Sequence, residues 1–563
     1  MSIDIETYRL KAQEAIEYVF VKEYHNSLGI PMPIVKMLLP DDANYSTGQY
    51  YITIDKTWQI HLNFGKLPIS YHEFQNEVKV LTRHEIEHYM CCPFDVITHF
   101  RMLKRIRDVY YKHFSHLGIN IEYACGAISN QAADIIVDTK NYYRHSKETL
   151  KSEIDWIKIG ANISACPRHC KLMFLTKEAI WKEDLGINET DPEFLKIVHQ
   201  LADSFTKNGI EDKSSFLDKV EEYAEIFFKL YVEDQKNPQQ SSQQGSQQQS
   251  GQQGSQQQSG QWGVGRPKDG DEHGNAFVFA DPDKVKEAIE VLAEETSVEE
   301  FIDLLAIAGI IGMSDKQKGV LWFNVQSANI IPIVEFSNTG NKSSYTYPSV
   351  WRIGDPIEEL DLMLTYMTSP RLIPGMTTKK WEYVSNDDNG TESKQMDLLL
   401  VVDTSGSMGS AMKESANMHQ AVLASYGILS YFESTKSKVA FIGFSDKIDA
   451  YVDWSDKYDD VRERLLTNGH GGTKFPISRI KSTLDVRSRD LVTVLITNGD
   501  LGNINESVSY FRDYLNDDNK LYIFLLGGSK SLHSYEPLKN IGAKIYNANN
   551  ANEFCDMVLT DME

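Results

Sequence analysis

The sequence predicts a multidomain chain. It has an N-terminal α+β domain, a disordered Gln/Ser/Gly linker, a mixed and mainly helical middle region, and a C-terminal α/β doubly wound domain. Three observations carry this expectation. At 563 residues the chain exceeds what one hydrophobic core usually supports. Its composition collapses to Gln, Ser and Gly between Asp234 and Asn275. From Met396 onward, apolar strand-like runs alternate with amphipathic helical ones, the pattern of a parallel sheet wrapped on both faces. The boundaries follow as residues 1–233, 234–275, 276–395 and 396–563.

Along the first segment, residues Ile5 to Tyr24 read as a helix, and β-rich runs follow at Ile34–Leu39, Tyr50–Ile54 and Gln59–Phe64. A long helix starts near Tyr71. Its apolar positions Phe74, Val78, Leu81, Ile86 and Met90 lie mostly to one side, and Pro93 stops it. Helical patterns dominate from there to Tyr231.

The linker contains Gln-Gln-Gly-Ser-Gln-Gln-Gln-Ser-Gly twice, at residues 243–251 and 252–260. Such a composition buries no core, and some 40 residues of it span roughly 35 Å as coil. It predicts a tether that leaves two halves free to move. Beyond it, Lys284 to Gly309 reads as helical and the stretch to about Asp388 as mixed. In the last segment, strands are expected at Leu398–Val402, Val439–Phe444, Leu491–Ile496, Leu521–Leu526 and Lys544–Tyr546. Helices are expected at Met412–Phe432, Val461–Leu466, Phe475–Leu484, Glu506–Leu515 and Glu553–Leu559.

Composition narrows the function classes. A net charge of −23 argues against nonspecific contact with nucleic acid or anionic membranes, because phosphate attraction requires a basic face. No run of eighteen apolar residues appears, and the first residues lack the basic and apolar regions of a secretory signal, so a cytoplasmic location is expected. The six cysteines are too few and irregular for a disulfide framework. Cys166-Pro167-Arg168-His169-Cys170 has the look of half a structural zinc site, but no matching half exists, so these read as reduced thiols.

Two motifs carry chemistry. His84-Glu85-Ile86-Glu87-His88 has the HExxH form: two histidines four apart on a helix share a face and reach one Zn²⁺, leaving Glu85 to act on water. A third protein ligand is needed, and Asn130 to Val137 followed by Asp138 is the best source. In a helical reading, Asp134 and Asp138 sit one turn apart between apolar residues, where carboxylates rarely lack a partner. The second motif, Asp403-Thr404-Ser405-Gly406-Ser407, follows a strand and offers short oxygen side chains to a hard divalent cation such as Mg²⁺.

The front half resembles the zincin metallopeptidases in which an acidic residue on a second helix completes the site. That resemblance implies Asp134 as third zinc ligand and Asp138 as the acceptor orienting a zinc-bound imidazole, with Asp138 as direct ligand the alternative. It further implies peptide-bond hydrolysis with Glu85 as general base, on a protein or peptide substrate. It also implies that Gln59–Phe64 acts as the edge strand that holds extended substrate by backbone pairing. No oxyanion stabiliser is evident; Tyr142, Tyr143 and His145 are merely near in sequence.

The back half resembles the von Willebrand factor A (VWA) domain over Met396 to about Met562. Carried over by position, the metal-ion-dependent adhesion site would take Asp403 through water, Ser405 and Ser407 by hydroxyl, and Thr473. The chain has Thr497-Asn498-Gly499-Asp500 where the family usually has Thr-Asp-Gly; Asn498 removes a charge while keeping a carbonyl oxygen, and Asp500 could compensate. Together the halves resemble metallopeptidases with a C-terminal VWA-like domain, a family whose frequent partner is a MoxR-type AAA+ ATPase. The alternative from another class is a non-catalytic VWA adaptor or assembly subunit of a MoxR- or chelatase-like AAA+ complex, with structural zinc. Chelatase linkers are strongly acidic, and this one is nearly uncharged.

Overall fold

A computed structural model describes residues 5–25, 32, 34–37, 50–54, 59–64, 70–93, 95–159, 163, 166–236, 282–310, 312–330, 345–351, 379–384, 396–487, 490–499, 501–517, 519–527 and 532–548. The chain divides into two compact units, Met1–Lys318 and Gly319–Glu563. The Gln/Ser/Gly segment and the helix expected at Glu553–Leu559 lie outside the described residues.

The first unit is mostly helical. Helix α1 (Ile5–Glu17) runs on through a wider π-helical turn to Glu23, and its buried Tyr8 packs edge-on against Phe74 of α2 (Tyr71–Met90). Ser70 starts α2 by accepting from the Glu73 amide, one of the orphan donors of a first turn. Phe74, Val78 and Ile86 on its apolar stripe are buried, whereas Met90 is exposed at the end. There follow α3 (Val96–Val109), a 39-residue α4 (Ile121–Ile159) broken at His145, α5 (Arg168–Trp181), α6 (Pro192–Thr206) and α7 (Phe216–Lys236).

Beyond the Gln/Ser/Gly segment, α8 (Pro282–Glu294) and α9 (Val298–Ile307) return to this same unit and pack on α3 and α4. Leu292, Phe301, Leu304 and Leu305 are buried there, and Arg107 of α3 reaches Asp303 at 2.8 Å. These helices belong to the stretch that the sequence reading placed in the 276–395 region. The segment before them therefore joins two parts of one unit rather than the two units, which departs from its expected role as a tether between independent halves.

Among the described residues the unit also has three short strands, β1 (Ile34–Met37), β2 (Tyr50–Ile54) and β3 (Gln59–Phe64), in the order β1-β3-β2. Here the edge-strand expectation is corrected. Strand β3 is central, paired in parallel with β1 from Ile34↔Gln59 and antiparallel with β2 from Tyr50↔Phe64. Both sides of its backbone are already hydrogen-bonded, so it has no free edge to offer a substrate.

The boundary between the units falls within α10 (Asp315–Ile330); in the second unit its Trp322 and Phe323 rings pack on His419, and a two-stranded pair, β4 (Tyr345–Val350) and β5 (Lys379–Val384), follows. Its body is a six-stranded sheet of β6 (Asp397–Asp403), β7 (Val439–Phe444), β8 (Ile448–Ser455), β9 (Leu491–Thr497), β10 (Lys520–Leu526) and β11 (Lys544–Ala548). The order is β11-β10-β9-β6-β7-β8, parallel except for the antiparallel edge β8.

Central strands β6, β7 and β9 are buried along their whole length, as strands covered on both faces must be. On one face Leu399 and Val401 join Ile480, Phe511 and Leu538 from α13 (Ile477–Leu484), α14 (Val508–Asn516) and α15 (Leu532–Lys539). On the other lies α11 (Asn417–Ser434), with α12 (Tyr458–Leu465) beside β7 and β8. The edge strand β8 and helix α15 had no counterpart in the sequence expectations.

Candidate metal centre and the sheet-end site

Helix α2 is fixed to its neighbours by two buried charges, Arg83 just before the motif and Glu87 within it. Arg83 forms a fork with Glu23 at 2.6 and 2.8 Å and also pairs with Glu148 of α4. Glu87, fully buried, takes Tyr24 Oη at 2.9 Å, Arg144 Nη1 at 2.8 Å and Lys140 Nζ at 2.7 Å. Glu87 thus faces Tyr24 and the Lys140–Arg144 stretch of α4, while the histidines, one residue after Arg83 and one after Glu87, face the preceding turns of α4.

There, His84 Nε2 and His88 Nε2 stand 3.0 Å apart. Asp134 Oδ1 of α4 lies 3.6 Å from the first and 3.2 Å from the second. Three donor atoms bound tetrahedrally at about 2.0–2.1 Å would be separated by roughly 3.3 Å, so the triangle has the dimensions of a zinc half-shell. Among the described residues this is the only such group of His, Cys, Asp or Glu.

The tautomers are set from behind. His84 Nδ1 faces Asp138 Oδ1 at 2.7 Å, and His88 Nδ1 faces the Cys92 carbonyl at 3.1 Å. Both partners are acceptors, so each ring carries its proton on Nδ1 and turns a lone pair inward at Nε2. Asp134 Oδ1 is buried without a hydrogen-bond donor, while its Oδ2 accepts from Asn130 Nδ2 at 2.9 Å. Two lone pairs and a carboxylate oxygen thus converge on one point, an arrangement that repels unless a cation or a proton occupies it. Consistently, although burial lowers the His84 pKa, Asp138, Asp134 and Glu85 outweigh it and push the imidazole up to about 10. Burial likewise works against the Asp138 charge, yet Lys177 and His84 hold its carboxyl well below the usual range.

The site is open on one side: the His84 side chain is 22% exposed against 5% for His88. Glu85 is half-buried next to His84. Tyr142 does not join the site, since its ring stacks on Trp181 and its hydroxyl donates to Glu183 at 2.9 Å. Tyr143 is 60% exposed, and His145 sits at the α4 kink, 3.9 Å from Glu23. In the Cys166–Cys170 segment, His169 pairs with Asp234 at 2.9 Å, tying α5 to α7. Two participants went unread in the sequence: Lys177 and Glu153. The signal existed, because Lys177 interrupts the apolar run Leu172 to Trp181, and a buried charge requires a partner.

In the second unit, Asp403 ends β6 and Asn498 follows β9. These adjacent parallel strands lead to crossovers on opposite sides, which is the switch point where such sheets build sites. Asp403 Oδ1 accepts from the Ser405 amide at 2.9 Å and its Oδ2 from Thr497 Oγ1 at 2.7 Å. Ser405 Oγ lies 3.1 Å from Ser407 Oγ, which lies 3.1 Å from Asn498 Oδ1. The Asn498 amide also donates to the Ser407 carbonyl at 2.8 Å.

Thr473 is half-buried in a loop fastened on both sides, by Gly406 N to Gly471 O and by Lys474 N to Ser445 O. At Gly469 an added Cβ would stand 2.4 Å from Asp449 Oδ2 and 2.5 Å from the Thr404 carbonyl, so this approach requires glycine. Asp403, Ser405, Ser407 and Asn498 are therefore brought together as one oxygen-rich cluster. Asp500 lies outside the described residues.

No protein-family model matches the chain, and no curated protein matches it. Among solved structures, it is similar to a conserved hypothetical protein BatB from Bacteroides thetaiotaomicron (12% identity, TM-score 0.26), covering 30% of this chain and 98% of that one. It is also similar to an uncharacterized membrane spanning protein from Vibrio fischeri (18% identity, TM-score 0.14), covering 29% of this chain and 96% of that one. Among the described residues of this chain, no helix is long and apolar enough to cross a membrane.

Proposed function

We propose that the first unit is a zinc-dependent peptidase of zincin type and that the second is a VWA-like domain recruiting a protein substrate or partner through a divalent cation. The observation that carries the first part is the convergence of His84 Nε2, His88 Nε2 and the donor-less Asp134 Oδ1 within 3.0–3.6 Å, with both imidazoles fixed by acceptors behind them. A nitrogen-rich set of three with one open side suits zinc better than Mg²⁺ or Ca²⁺, which prefer all-oxygen shells.

Bound zinc would supply Lewis-acid polarisation of a scissile carbonyl and acidify an attacking water. Glu85 takes that water's proton and returns it to the leaving amine. Asp138 keeps His84 in the Nδ1–H tautomer, so that Nε2 stays available as a ligand. Because β3 is paired on both sides, an extended substrate would have to find its backbone partner elsewhere.

For the second unit, the support is the oxygen cluster of Asp403, Ser405, Ser407 and Asn498 at the switch point. With Asn498 neutral, a bound Mg²⁺ would keep more of its charge for an incoming partner carboxylate. A MoxR-type AAA+ ATPase is the partner class proposed.

The test of the hydrolytic reading is cleavage of a denatured protein mixture by the zinc-loaded protein, compared with Glu85→Gln. The variant should retain its metal and lose cleavage. Equal cleavage by both would contradict the assignment, and retained metal with no cleavage by either would favour a structural zinc in an adaptor.

A further inference from the structure

We propose that Lys177 is a positioning residue of the metal centre, holding Asp138 behind His84 and so keeping it out of the coordination sphere. This rests on reading His84, His88 and Asp134 as metal ligands.

Lys177 lies on α5, a third helix packed against α4, and its side chain is 2% exposed. Its stem runs beside two rings, with Nζ 5.2 Å from the Phe174 centroid and 5.9 Å from that of Trp181. Nζ ends 2.9 Å from Asp138 Oδ2 and also pairs with Glu153 of α4. Each oxygen of Asp138 therefore has a separate task, Oδ1 toward His84 Nδ1 and Oδ2 toward the ammonium. A carboxylate held at both oxygens in a buried site cannot swing without stranding one partner.

The sequence offers two carboxylates one turn apart, Asp134 and Asp138, either of which could ligate. What separates them in the structure is their partners. Asp134 has a neutral Asn130 amide on one oxygen and turns the other, which lacks a hydrogen-bond donor, toward the two imidazole Nε2 atoms; Asp138 is clamped between an imidazole and an ammonium. Remove the ammonium, and Asp138 becomes free to turn toward the cation and compete with Asp134. Lys177 thus selects which acid ligates and leaves one coordination position open for water.

The experiment uses the full chain with Zn²⁺ and, separately, Co²⁺ as spectroscopic probe. Lys177→Met is made together with Glu153→Gln so that Asp138 is the one carboxylate that loses its ammonium partner; Glu153→Gln alone is the control. The expected result is a roughly 10–100-fold weaker zinc affinity by chelator competition. The Co²⁺ d–d spectrum should shift toward a higher coordination number. In an Asp138→Asn background, the same pair of substitutions should change affinity less than about twofold, because the positioning acts through Asp138.

Wild-type affinity and spectrum in the pair would overturn the proposal, as would an equal loss in the Asp138→Asn background, which would mark a purely structural role. If the pair does not fold, Lys177→Gln, which keeps a hydrogen-bonding side chain but not the charge, must show the same spectral change, and an unchanged spectrum there overturns the proposal too. A wild-type protein that binds neither metal would instead remove the reading on which it rests.

Discussion

Nδ1 of His84 and Oδ1 of Asp138 stand 2.7 Å apart across two packed helices, and that contact decides which nitrogen of His84 faces the centre. Replacing Asp138 with Asn keeps the shape but offers an amide that can turn an N–H toward Nδ1 and favour the wrong tautomer. Asp138→Asn is expected to lower zinc affinity by about 10–100-fold, measured by competition with a chromogenic chelator. An unchanged affinity would mean the contact is incidental.

Metal binding should be coupled to protons with a defined sign. In the metal-free protein, His84 is pushed up to about 10 by its acidic neighbours, against an ordinary value of 6.5. Its charged form therefore stabilises the metal-free fold fully below pH 6.5, and this contribution is lost as pH rises through about 10. Zinc must displace that proton, so apparent zinc affinity should rise about tenfold per unit between pH 6.5 and 8, with close to one proton released per chain. Calorimetry in buffers of different ionisation enthalpy measures the release, and a flat affinity over that range would refute it.

Glu85 and Glu87, two residues apart, should fail in opposite ways. Glu87→Ala leaves Lys140 and Arg144 without their shared carboxylate and is expected to cost about 3–5 kcal/mol in denaturant unfolding of the front unit. Glu85→Gln should stay within about 1 kcal/mol of wild type. Similar losses for both would indicate that Glu85 is also a structural anchor.

The return of α8 and α9 to the front unit predicts the outcome of cutting the chain. After cleavage at a protease site inserted between residues 237 and 281, the two fragments should still co-elute, even in high salt. The exposed Arg101–Glu295 pair contributes little, while Leu292, Phe301, Leu304 and Leu305 are buried. Leu304→Asp should release them. Separation of the unsubstituted fragments on size exclusion would contradict the packing.

At the sheet end, Asp403 is the single carboxylate among the clustered side chains, with Asn498 opposite Ser407. Asn498→Asp adds a second negative charge and should tighten Mg²⁺ binding by about tenfold or more, as followed by titration calorimetry. No gain would argue that the cluster serves the fold rather than a cation.

Much of the site was legible because its parts repeat at helical spacing. His84/His88 and Asp134/Asp138 each sit one turn apart, so a shared face could be read from the chain. The parallel strands were equally plain as unbroken apolar runs. Strand β8 escaped because Ile448–Ser455 is a half-exposed edge in which Asp449, Asp453 and Ser455 break the apolar run. The central place of β3 escaped because pairing order leaves no mark on a single strand. Lys177 and Glu153 escaped because their meeting with Asp138 depends on how α5 packs on α4.

The central claim is tested most directly by the metal content of the protein purified without added metal, beside a His84→Ala/His88→Ala variant, using elemental analysis. One zinc per chain in the wild type and none in the variant is the result expected. A wild type without zinc, or a variant that keeps it, would contradict the assignment of His84, His88 and Asp134 as a metal centre.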